Sequence, residues 1–111
     1  MNQPFASFAA LEMAAADVVA TTRAMGVRLQ KAELLEFAQQ VAVLFFYEGE
    51  ADVAAYENDG TTRQIEDAFL AALNAAKLVL PFSAMPRINF EFDSHENVVR
   101  NFEGSYFLRL R

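Results

Sequence analysis

Apolar positions recur with a helical period over the first two thirds of the chain and with a period of two near its end. Phe8, Leu11, Ala15, Val18, Thr22 and Met25 follow alternating steps of three and four, which puts them on one face of a helix over 5–25 that Gly26 terminates. The many alanines favour helix and allow a neighbouring helix to come close. The same spacing fits a coiled-coil seam, but Ala15 and Thr22 fill seam positions badly, so packing within the chain is the preferred reading.

A second periodic segment begins near Lys31, with Leu34, Phe37, Val41 and Leu44 on one face and Ala38 and Phe45 beside it. From Val41 to Tyr47 it is apolar all round. An enclosed helix has this character, and so does a buried strand, since Val, Phe and Tyr favour sheets. The steps from Leu34 to Leu44 favour the helix. Gly49 then breaks it, and 51–56 forms a short helical turn or an exposed loop.

Asn58-Asp59-Gly60 marks a turn, and Thr61 or Thr62 then caps a third helix, Thr61 and Gln64 having capping-box spacing. Its buried stripe is Ile65, Phe69, Ala72, Ala76 and Leu80, with Leu73 adjoining, and Pro81 stops it. After Pro86, Ile88, Phe90 and Phe92 alternate with Asn89, Glu91 and Asp93 as in a half-buried strand. Val98 to Phe102 reads as a middle strand turning at Glu103-Gly104, and Tyr106 to Leu110 as a last one. Antiparallel pairing would set Glu91 and Asp93 against Arg109 and Arg111. The predicted fold class is α+β: about three helices packed on a small C-terminal antiparallel sheet of two or three strands. Residues 1–111 form one domain, helical over about 5–80 and strand-like over about 87–111.

Charge changes this picture more than composition does. Residues 48–67 hold seven acids and one base, which accounts for the whole net charge of −6 because the acids and bases elsewhere cancel. Glu48, Glu50, Asp52, Glu57 and Asp59 come first, with no basic residue between them, directly after the apolar run. No cluster of Lys and Arg offers phosphate contacts, so direct nucleic-acid binding is not expected. The absence of cysteine removes disulfides and thiolate metal sites. No uncharged apolar run approaches the roughly 20 residues that span a bilayer. A cytoplasmic protein without a membrane role is the expectation. Hydrophobic residues make up 54% of 111, eleven of them Phe, more than a domain this small readily hides. Self-association, as a homo-oligomer, would cover the surplus.

The chemical inventory is thin. His95 is the single histidine, in Asp93-Ser94-His95-Glu96-Asn97, a polar run that reads as a turn or a helix start. A Ser94–His95 nucleophile lacks a strained elbow around it. A calcium loop with Gly60 at its sixth position would put Ala55 and Arg63 at ligand positions, which removes two oxygens and adds a cation. Glu48 and Asp52 have the spacing of paired carboxylates on one helix face, but catalytic pairs need burial to separate their pKa values. The four glycines are isolated, so no phosphate loop is present, and neither cofactor nor metal is expected. Phe90, Phe92, Phe102, Tyr106 and Phe107 resemble a stacking platform in composition, though a sheet core has the same alternation.

These observations point to a small acidic, non-enzymatic interaction or regulatory module. Its partner would be another protein, one with a basic surface, met through Phe45, Phe46, Tyr47 and Tyr56 framed by Glu48, Glu50, Asp52, Glu57 and Asp59. Two further classes fit the charge less directly. One is an inhibitor of phage or mobile-element type, an anti-defence protein whose carboxylates imitate nucleic acid in a basic groove. The other is an enzyme or small-molecule binder with a pocket between helices and sheet.

Overall fold

A computed structural model describes residues 4–37, 40–79 and 87–110, without the side chains of 4–8, 37 and 76–79. The chain runs α1 (Pro4–Ala24), β1 (Leu29–Phe37), β2 (Gln40–Tyr47), α2 (Glu50–Asn58), α3 (Thr61–Val79), β3 (Arg87–Ser94), α4 (His95–Asn101) and α5 (Tyr106–Arg109). The class is α+β, but the three-stranded sheet is mixed, with order β1-β2-β3. β1 pairs antiparallel with β2, and β3 pairs parallel with β2, Phe45 opposite Phe92.

The segment from Lys31 to Tyr47 is therefore a hairpin and not a helix. β2 is the central strand, and its two faces meet separate apolar layers. Val41, Val43, Phe45 and Tyr47 pack with Leu11, Val18, Ile65 and Phe69, while Ala42, Leu44 and Phe46 pack with Val98. A strand covered on both sides loses the alternation that marks a half-exposed one, which is why its sequence imitates an enclosed helix. Ala38, a predicted helix residue, lies outside the described residues.

α1 keeps its predicted span, and Leu11, Ala15, Val18 and Thr22 face the core. Met25 does not: it follows the last turn and is 69% exposed. α3 buries Ile65, Phe69 and Leu73, whereas Leu80 lies outside the described residues. Its start is held by Asp59 and not by Thr61: the Thr61 N–H donates to Asp59 Oδ1 at 2.8 Å. Thr61 is already helical, so its side chain cannot act as the flanking cap.

β3 follows its predicted alternation, with Phe90 and Phe92 stacked beside Phe45. The two later strands are helices instead. Ser94 caps α4, its hydroxyl accepting from the Asn97 N–H at 3.0 Å, and Ser105 caps α5, accepting from Leu108 at 3.2 Å. Between them Glu103 and Gly104 take positive φ, so the chain turns where the sequence indicated. α4 and α5 cover the second face of the sheet, where Phe102, Tyr106 and Leu110 lie against the Phe46 layer. The ion pairing expected of Arg109 with Glu91 and Asp93 is present, made by a helix and not by a paired strand. Arg111 lies outside the described residues.

Candidate functional site

β2 and β3 are parallel, so both end at the same edge of the sheet, and each passes directly into a helix. α2 starts after Gly49 and α4 after Ser94, which brings two helix N-termini together. The backbone N–H of Glu96 donates to the Glu48 carbonyl at 3.1 Å. Helix starts expose unpaired N–H groups and attract negative charge. Here the chain's own carboxylates supply it. Asp52 accepts from the Gly49 N–H at 2.9 Å, and Glu96 accepts from the Glu50 N–H at 2.8 Å. That last bond, with Arg100 adding to it, holds the Glu96 carboxyl below its ordinary pKa.

Two arginines offset half of the carboxylate charge at this end of the molecule. Arg28 reaches Asp52 at 3.0 Å and Glu48 at 3.5 Å; Arg100 reaches Glu96 at 2.6 Å and Glu50 at 3.5 Å. The hydrogen bond that Arg28 donates to Asp52, helped by the charges of Asp52 and Glu48, raises the Arg28 pKa. A shallow groove of about 500 Å³ runs over Arg28, Glu48, Gly49, His95, Glu96 and Arg100. Gly49 is the floor of this junction: a Cβ there would lie 3.3 Å from Asp52 Oδ2 and 3.5 Å from Glu96 Oε1. Sequence reading missed this junction because Arg28 and α4, with Glu96 and Arg100 at i,i+4 spacing, lie far along the chain from Glu48, Glu50 and Asp52.

The acidic belt thus divides into two parts. Glu48, Glu50 and Asp52 are partnered by the arginines. Glu57 and Asp59 are exposed at the corner between α2 and α3, where Glu66 and Asp67 of the first turns of α3 follow. Among the described residues, none of these four forms an ion pair. Asp59 and Glu66 both act on the Tyr47 hydroxyl. Burial first, then these charges, push the Tyr47 pKa up to about 12 against the opposing effect of its hydrogen bond to Thr62 at 2.7 Å. The Asp59 carboxyl is held below its ordinary value by its hydrogen bonds from Thr61.

The aromatic members of the expected docking patch are inside the protein. Phe45, Phe46 and Tyr47 are fully buried, and Phe45 and Phe46 point to opposite faces of the sheet. Tyr56 is half-buried, tilted against Tyr47 with ring centroids 4.8 Å apart, and its hydroxyl accepts from the Arg28 N–H at 3.1 Å. These rings serve the core.

The remaining chemical candidates are separated in the same way. Ser94 and His95 turn to different partners, Ser94 to its cap and His95 Nδ1 to the Tyr106 hydroxyl at 2.6 Å. Phe90 and Phe92 lie on one face of the sheet and Phe102 and Tyr106 on the other, so they form no common platform. Among the described residues no three His, Asp or Glu side chains are placed to hold a metal ion. No described helix is long and apolar enough to cross a membrane. No family model, curated protein or solved structure matches the chain.

Proposed function

We propose that this protein is a small, non-enzymatic interaction module that self-associates and docks a basic protein surface through the corner between α2 and α3. The observation that supports it is the division of the acidic belt. Acids at the helix starts are bound by Arg28 and Arg100, whereas Glu57, Asp59, Glu66 and Asp67, on the α2–α3 stretch that also carries exposed Arg63, form no ion pair among the described residues. Like charges held together cost stability unless something opposite meets them, and such a patch steers a basic partner toward itself. The reading revises the expected patch: the aromatic residues give the corner a rigid base and the acids meet the partner.

Affinity capture from the native cell tests this, with Glu57 and Asp67 reversed to lysine in the control protein. The partner captured by the parent should be lost by the control and kept by a protein in which Glu48 and Glu50 are reversed. Equal capture by all three proteins removes the corner from the function. If the partner handles nucleic acid, the charge-imitating inhibitor becomes the specific form of this function.

A further inference from the structure

We propose that two copies of this chain pair edge to edge through β1, antiparallel and centred on Ala32, so that Lys31 of each copy faces Glu33 of the other. The inference rests on the self-association in the reading above and assigns it a surface. β1 is an edge strand whose only strand neighbour among the described residues is β2. It extends over nine residues, Leu29–Phe37, with neither proline nor glycine. Such an edge is a template for another strand unless its side chains prevent it.

The side chains select one arrangement and do not prevent pairing. Lys31 and Glu33 lie two residues apart on the same face, 2.6 Å from one another and partly exposed. Parallel pairing in register would set each charge against its own copy. Antiparallel pairing centred on Glu33 would set that acid against itself. Centring on Ala32 places Lys31 opposite Glu33 twice; residues 31–33 keep their faces, and the register shift between Leu29 and Lys31 ends the regular pairing on the N-terminal side. The pattern is complementary to itself, which identifies the occupant as a second copy and not a foreign strand.

The helix layer repeats this pattern about the same axis. A groove of about 630 Å³ separates β1 from α1, and its lining includes Glu12, Ala16, Ala20 and Arg23 from the helix and Gln30 to Leu34 from the strand. A two-fold axis normal to the sheet at Ala32 runs the two α1 helices antiparallel. Glu12, at one end of the alanine row, then faces Arg23 at the other end of its counterpart. Alanines between these charges permit close approach of the helices. Sheet and helix layers would both close around one axis, as a two-fold interface requires.

Light scattering after size exclusion of the full chain tests the proposal. The parent should run at twice the 12.4 kDa chain mass. Lys31→Glu and Glu33→Lys should each halve that mass, because the edge then carries one sign of charge. An equimolar mixture of the two variants should recover the doubled mass, since an acidic edge then meets a basic one; recovery also shows that both variants are folded. A parent that remains at single-chain mass at its highest soluble concentration overturns self-association altogether. Variants that keep the doubled mass, or a mixture that stays at single-chain mass, overturn the β1 edge specifically. Capture through the acidic corner is read in a separate experiment and is unaffected by these outcomes.

Discussion

Arg109 Nε donates to Asp93 Oδ2 at 2.6 Å, joining the last helix to the edge strand β3. The guanidinium also reaches Glu91 at 3.3 Å and lies 6.0 Å from the ring centroids of Phe46 and Phe102. Burial lowers its pKa, but the hydrogen bond and charge of Asp93 outweigh that and leave it raised. The pair is shielded on both sides, with side-chain exposures of 22% and 16%. Arg109 therefore holds α5 over the second face of the sheet.

Arg109→Ala should destabilise the protein by about 1–3 kcal/mol, less than a fully buried pair because Asn97 also donates to Asp93. Urea unfolding measures the loss. Hydrogen exchange should show it concentrated in 106–110, with the β1–β2 hairpin still protected. Uniform loss of protection would show that Arg109 does not act locally.

Phe45→Ala should cost about 3–5 kcal/mol, since a ring with no exposure is removed from contact with Phe69, Phe90 and Phe92. A docking ring would instead lower partner binding with the unfolding midpoint unchanged. Urea unfolding of this variant separates the two roles.

Asp52→Ala should cost about 1–2 kcal/mol, because Asp52 both caps the start of α2 and binds Arg28. Glu57→Ala, at an exposed position in the same helix, should change stability by less than about 0.5 kcal/mol. Thermal melts of the two variants compare a structural acid with a surface one. Equal losses would contradict the division of the belt.

Alkaline pH should weaken the fold through Tyr47. Its folded pKa of about 12 exceeds the ordinary 10.0, so the folded state holds the proton more tightly. The stability it contributes is complete below about pH 10 and is lost as pH rises toward 12. Tyr47→Phe should flatten this decline, at a cost of about 1 kcal/mol at neutral pH for the lost hydrogen bond to Thr62. An unchanged alkaline slope would assign the decline to another group.

Acid should act through the helix starts. The Glu96 and Asp59 carboxyls titrate below their ordinary values, so the unfolded chain binds protons that the folded state refuses. Their contribution is present above the ordinary carboxyl range and is lost as pH falls through the folded pKa. Glu96→Gln should therefore shallow the acid limb of the stability profile, measured by unfolding at successive pH values. A limb as steep as the parent's would remove Glu96 as a source.

The sequence was most legible where one face of an element meets water. α1 and α3 have one buried stripe, and β3 is an edge strand with its polar residues outward, so spacing alone located all three. The turn at Asn58-Asp59-Gly60 and the one at Glu103-Gly104 were legible for a local reason, the residue types that tolerate those backbone angles. Ser94 and Ser105 carried equally local cap signals. The residues after them read as strands, and in the structure they are helices that follow those caps.

Sequence by itself determined the α+β class and the location of the acidic charge, because these depend on residue type and local period. Only the tertiary structure decided that Val41–Tyr47 is a central strand. Its neighbour β3 and the layers on both faces come from distant parts of the chain, and a strand enclosed on every side has no local period to reveal it. The roles of the acids were settled in the same way. Glu48, Glu50 and Asp52 are bound because Arg28 and Arg100 are brought to them by β1 and α4, whereas Glu57 and Asp59 remain at the surface because the α2–α3 corner turns them away from both.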